Sequence, residues 1–177
     1  MKLCILLASL LIAFVVHAQF SEGTVARTSA VHVFGGGPVS SVVVRTNDPP
    51  TEQGGWETHS TTLSQIPGAV IDVAIPRGRR VFLLMRFSAS EWCQGPANQH
   101  CSVVIHVNGQ EAHPRAGGNA RFDSGLAENQ ESHAIERVLG PYRGRRSVRV
   151  RVMAETSSTA LSFRVFEWTL VVEQVRM

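Results

Sequence analysis

Asp123-Ser124 and Ser132-His133 bring the residue types of a hydrolytic triad into one short stretch of the chain. Nucleophilic hydrolysis needs a serine, a histidine that takes its proton and an acid that orients the histidine, but that arrangement is defined by geometry and not by sequence order. The strained Gly-x-Ser-x-Gly elbow that presents such a serine is absent from the sequence. These four residues therefore read as strand and turn polars, and no catalytic residue is assigned. Glycosidic cleavage needs two carboxyl groups facing each other across a cleft. Glu128 and Glu131 share a polar loop and Glu136 follows on the next strand, where loop acids are ordinarily solvated.

Asp72 and Arg86 each interrupt an apolar strand, and a hairpin at Pro76 to Arg80 would set them opposite each other as a cross-strand ion pair. His59, His100, His106, His113 and His133 are scattered, without a His-x-His or His-Glu-x-x-His pattern, so no metal ligand is assigned. The oxygen-rich stretches from Asn47-Asp48 to Glu52 and from Asp123 to Glu131 lack the spacing of a calcium loop. Gly35-Gly36-Gly37 is followed by neither Gly-Lys-Ser/Thr nor a helix pattern, so it is no phosphate loop, and no cofactor is expected.

Two features point to binding. Arg145, Arg149 and Arg151 fall in one phase of a strand, with Ser147 between them, and form a candidate cationic face for anionic glycans or phosphates. The same charges also suit a solubilising surface that discourages strand addition. Trp56, Trp92 and Tyr142 read as loop aromatics in a chain of only 7% aromatic content, and are candidate platforms for a sugar ring or covers for a core edge.

The elements that must position these residues are strands. Val103, Ile105 and Val107 alternate with Ser102, Val104 and His106 up to Asn108-Gly109, the pair that best tolerates the positive φ angles of a type I′ hairpin turn. Val148, Val150 and Val152 alternate with Ser147, Arg149 and Arg151, and residues 69–75, 81–87 and 161–175 follow the same period. Turn residues recur every eight to twelve positions, among them Pro67-Gly68 and Gly140-Pro141. The pattern predicts an all-β chain of about nine or ten strands, an antiparallel β-sandwich of jelly-roll type.

Export is expected from the start of the chain. Lys2, the apolar run Leu3 to Val16 and Val16-His17-Ala18 have the layout of a signal peptide over residues 1–18, leaving one domain over residues 19–177. That run is too short to span a bilayer comfortably and no second long apolar stretch follows it, so the mature chain is expected to carry no transmembrane segment and is placed in the periplasm or outside the cell. Cys4 leaves with the signal, and Cys93 with Cys101 then form the expected disulfide, stapling the loop that begins at Trp92. The mature chain has sixteen arginines, the 17 basic residues less Lys2, against 14 acids. That small excess excludes nucleic acid as the expected partner. The absence of lysine after Lys2 agrees with arginine-based recognition and equally with codon usage.

The order of motifs in the carboxyl-terminal part carries a resemblance. Arg86-Phe87-Ser88-Ala89-Ser90 precedes the two cysteines. Ser102-Val103-Val104-Ile105, Asn108-Gly109, Arg121-Phe122-Asp123-Ser124 and Ser132 to Arg137 follow. Leu139-Gly140-Pro141, Val148-Arg149-Val150 and Phe166-Glu167-Trp168-Thr169-Leu170 close the series. Over residues 66–175 this order resembles a group of uncharacterised bacterial exported domains with a jelly-roll sandwich. The resemblance implies a fold and no activity. The resulting expectation is a secreted, non-enzymatic module binding an extracellular or cell-surface ligand, with carbohydrate among the candidates. Two alternatives are a structural or homo-oligomerising subunit, packing through apolar positions of Val39 to Val44, and a hydrolase with an unrecognised site.

Overall fold

The computed structural model describes residues 26–31, 39–47, 55–115, 121–125, 129–144 and 146–177. The expected signal peptide and its boundary with the mature domain lie outside these residues. The described residues form eleven strands: β1 (Ala26–Val31), β2 (Val39–Asn47), β3 (Trp56–Thr58), β4 (Ser64–Ile75), β5 (Arg80–Gln94), β6 (His100–Val107), β7 (Gln110–Glu111), β8 (Arg121–Ser124), β9 (Glu131–Arg143), β10 (Arg146–Thr156) and β11 (Ser162–Arg176). Nine are longer than three residues. Among the described residues there is no helix, and so none long and apolar enough to cross a membrane.

Two antiparallel sheets form the expected sandwich. One has the order β1-β2-β11-β5-β9, with β3 also on β11; the other has the order β4-β10-β6-β7, with β8 also on β6. The period-2 pattern places one phase of each strand between the sheets. In β5 that phase is Val81, Leu83, Met85, Phe87, Ala89, Glu91 and Cys93, every one of them buried. Val148, Val150, Val152 and Ala154 of β10 and Phe163, Leu170 and Val172 of β11 meet them from the two sheets. Burying such side chains contributes roughly 1.5–3 kcal/mol each, which makes this shared layer the main source of stability.

The turns divide into those the sequence marks and those it disguises. Asn108 at φ 50° and Gly109 at φ 85° join Val107 to Gln110 by a two-residue hairpin, as expected. Pro67-Gly68 does not end a strand. It lies inside β4, beside a register shift on β10, and β4 is an edge strand, where proline's missing N–H is tolerated. Gly140-Pro141 likewise lies inside edge strand β9, at a shift against β5. Pro76 to Arg80 turns the chain, with Arg79 N–H donating to Pro76 O, but it leads from one sheet to the other. It therefore makes no hairpin, and Asp72 and Arg86 are not cross-strand partners.

Cys93 and Cys101 are joined in a disulfide with Cα atoms 6.0 Å apart. Because β5 and β6 belong to different sheets, the bond ties the two layers together at one end of the sandwich.

Candidate functional site

Beside that disulfide three strands converge on polar side chains. Glu91 lies two residues before Cys93 in the same inward phase of β5, and its side chain is 0% exposed. Asp123 of β8 is the register partner of Cys101 on β6. His133 of β9 is the register partner of Ala89. One donor atom from each of Glu91, Asp123 and His133 lies within 4.8 Å of the others.

The contacts within the group are specific. His133 Nδ1 is 2.9 Å from Glu91 Oε1, and in the tautomer protonated at Nδ1 it donates that hydrogen bond. His133 Nε2 is 3.5 Å from Glu131 Oε2. Asp123 Oδ1 accepts from Ser124 N–H at 2.6 Å. Among the described residues neither Glu91 Oε2 nor Asp123 Oδ2 meets a donor, although both are buried. Phe122 packs edge-on against the His133 ring, with centroids 5.6 Å apart, and itself rests on Phe87 and Phe163. The polar group thus sits on an aromatic floor, with His133 34% exposed at its rim.

Burial above all, then the charge and hydrogen bond of Asp123 and the charge of Glu131, push the Glu91 carboxyl up to about 9. A carboxylate removed from water with acids as neighbours favours its neutral form. The protonated Glu91 hydroxyl is then the donor that Asp123 can accept. A buried pair of facing carboxyls with a histidine can share a proton or hold a cation.

On the outer face of the six-stranded sheet, where Ser132 and Ala134 flank His133, lies an open groove of about 620 Å³. Thr46, Thr169, Ser88 and Ala134 form one cross-strand row there, and Ser90 with Ser132 forms a second. Glu167 adds a carboxylate at the bulge in β11, and Gln130 Nε2 donates to Ser90 Oγ. Five of the lining residues, Thr46, Ser88, Ser90, Ser132 and Thr169, carry small hydroxyl side chains.

Most of the residues singled out from sequence lie elsewhere. Arg149 and Arg151 do share the exposed phase of β10. They do not form a free cationic stripe, because Arg149 makes a bidentate pair with Asp72 at 2.7 and 2.9 Å. That hydrogen-bonded arginine holds the Asp72 carboxyl below its ordinary range. Arg145 lies outside the described residues. Arg86 pairs with Glu136 at 2.8 Å. Trp56, Trp92 and Tyr142 are on β3, β5 and β9 and not on loops. Trp56 and Tyr142 pack against the core, while Trp92 is half-buried in the outward phase of β5, shared with Ser88 and Ser90.

Ser132 and His133 point to opposite faces of β9, so their adjacency makes no nucleophile–base pair. Val42 and Val44, candidates for contact with a second copy, are half-buried on β2, which lies between β1 and β11. Glu91 was missed, although alternation with Phe87, Ala89 and Cys93 is the signal that marks it as an acid in an apolar phase.

No family model matches the chain, and no curated protein does. Among solved structures, 68% of the chain is similar to 12% of the chain in the crystal structure of dimeric latent PorU from Porphyromonas gingivalis, at 16% identity and a TM-score of 0.32.

Proposed function

We propose that the protein is an exported, non-enzymatic β-sandwich module that binds a polar extracellular or cell-surface ligand of the carbohydrate class in the hydroxyl-lined groove. The observation that carries this reading is the pair of cross-strand rows, Thr46–Thr169–Ser88 and Ser90–Ser132, set on a four-strand surface. Hydroxyls both donate and accept, so such rows suit a polyhydroxyl partner, and Glu167 adds a strong acceptor. Trp92 in the same outward phase supplies an amphipathic ring beside them. The orders β2-β11-β5-β9 and β4-β10-β6-β8 also support jelly-roll topology, in agreement with the resemblance in the sequence. Export is supported by the signal-like opening and by the disulfide.

A glycan array with the purified chain tests the reading. Ala134 is exposed on the groove floor, so Ala134→Arg should fill the groove and remove binding without unfolding the sheet. No retained glycan, or binding unchanged in that variant, would overturn it. A second reading, a self-assembling subunit, rests on the half-buried row of Val44 and Val171 on the same outer face. Sedimentation of the purified chain as a stable dimer or trimer supports it, and a monomer removes it.

A further inference from the structure

We infer that Glu91, Asp123 and His133 form a binding site for a divalent transition-metal ion of the zinc type, set between the sheets beside the Cys93–Cys101 disulfide. The donor set is one imidazole nitrogen and two carboxylates. Imidazole favours zinc and its neighbours over calcium and magnesium, and zinc accepts nitrogen and carboxylate oxygen together. Calcium takes six to eight oxygen ligands and does not favour an imidazole nitrogen in its shell.

Two observations point to a ligand independently of the residue types. Glu91 is fully buried, yet its Oε2 has no donor among the described residues, and Asp123 Oδ2 is buried in the same condition. Two buried carboxyl oxygens facing one another must either share a proton or take a cation, and a second buried negative charge is costly without one. Second, the imidazole is already oriented. Its Nδ1 is turned towards Glu91, while Glu131 Oε2 stands 3.5 Å from the opposite nitrogen, Nε2. A carboxylate on the far side of a ligating histidine fixes the ring and raises its basicity.

The donor atoms lie within 4.8 Å of one another, and small side-chain rotations can bring them onto one ion. Water is available from the exposed rim at His133 to complete a four-coordinate shell. The disulfide holds the carboxylates from the two sheets in place, since Glu91 lies near Cys93 and Asp123 is paired with Cys101. The inference is independent of what occupies the groove, because the ion would be measured with no glycan present.

The test uses the untagged protein treated with EDTA and dialysed, then titrated calorimetrically with zinc chloride. One equivalent should bind, and cobalt(II) in its place should give the visible absorption of a low-coordinate nitrogen–oxygen site. Glu91→Gln, Asp123→Asn and His133→Asn should each weaken binding by at least about tenfold. His106→Asn, on β6 and outside the group, should leave it unchanged. Glu91→Gln keeps the shape of the neutral carboxyl, so its melting curve separates lost affinity from lost fold. Absence of zinc binding at millimolar concentration overturns the assignment. So do binding that survives both Glu91→Gln and His133→Asn, and binding of calcium in preference to zinc.

Discussion

Glu91 and Asp72 are both acids on long strands with an arginine or histidine within hydrogen-bonding distance, and their environments drive them in opposite directions. Asp72 lies in the polar phase of β4, on the outer face, gripped by Arg149 and near Arg151, and its proton leaves more easily than usual. Glu91 lies in the apolar phase of β5, between the layers, with Asp123 and Glu131 as neighbours, and its proton is retained to about 9. One step of strand register separates a solvated ion pair from a buried acid. The lesson is that partner type alone does not predict behaviour; the phase of the strand decides how much water remains and which charges surround the group.

The largest expected effect is on the pH dependence of stability in metal-free protein. Glu91 is raised in the folded state, so its contribution is fully present below the unfolded value near 4.5 and declines as pH rises towards about 9. At about 1.4 kcal/mol per pH unit, the wild-type chain should lose on the order of several kcal/mol across that window. Glu91→Gln should flatten the decline and be the more stable form at pH 9. Urea midpoints from pH 5 to pH 9, with EDTA present, measure this; parallel curves for the two proteins would break the contrast between Glu91 and Asp72.

A smaller effect is expected from the staple beside the site. Replacing Cys93 and Cys101 together by alanine should destabilise the chain by about 2–3 kcal/mol, in line with closure of a short loop. If the disulfide also aligns Glu91 with Asp123, zinc affinity in this variant falls while glycan binding in the groove persists. Thermal melts and calorimetry read the two effects separately.

The smallest change is expected on the outer face. Asp72→Asn should move the melting temperature by no more than about 2–4 °C at neutral pH, because exposed pairs contribute little. Its depressed carboxyl gives the opposite pH sign to Glu91: stability from the pair is present above the unfolded value and is lost as pH falls through the folded one. Replacing Arg149 and Arg151 together by glutamine should leave the melting temperature nearly unchanged. A large loss there would place these arginines in a structural network and sharpen the comparison in an unexpected place.

Much of the framework was legible from residue order. Alternation located β6, β10 and β11, Asn108-Gly109 specified a hairpin, and the cysteine pair identified the staple. What failed were inferences about neighbours. Pro76 to Arg80 looks like a hairpin, but a turn of the same composition can cross between layers, and only the sheet order distinguishes them. Pro67-Gly68 and Gly140-Pro141 look like strand ends because the cost of proline in a ladder vanishes only at an edge, and edges are a tertiary property. The metal candidates Glu91, Asp123 and His133 come from three strands separated by 32 and 10 positions, so no local spacing unites them. The acid in the apolar phase of β5 was the available clue; its meaning depended on which phase was buried.

The two proline-bearing bulges carry a consequence for crowding. β4 and β9 each end a sheet, and an outermost strand invites a strand from another molecule to continue the ladder. Pro67 offers no amide to such a visitor, and neither does Pro141. The middle of β9 is already taken up, with His113 and Val138 exchanging backbone hydrogen bonds. A visiting strand would therefore meet an interrupted ladder along β4 and along β9.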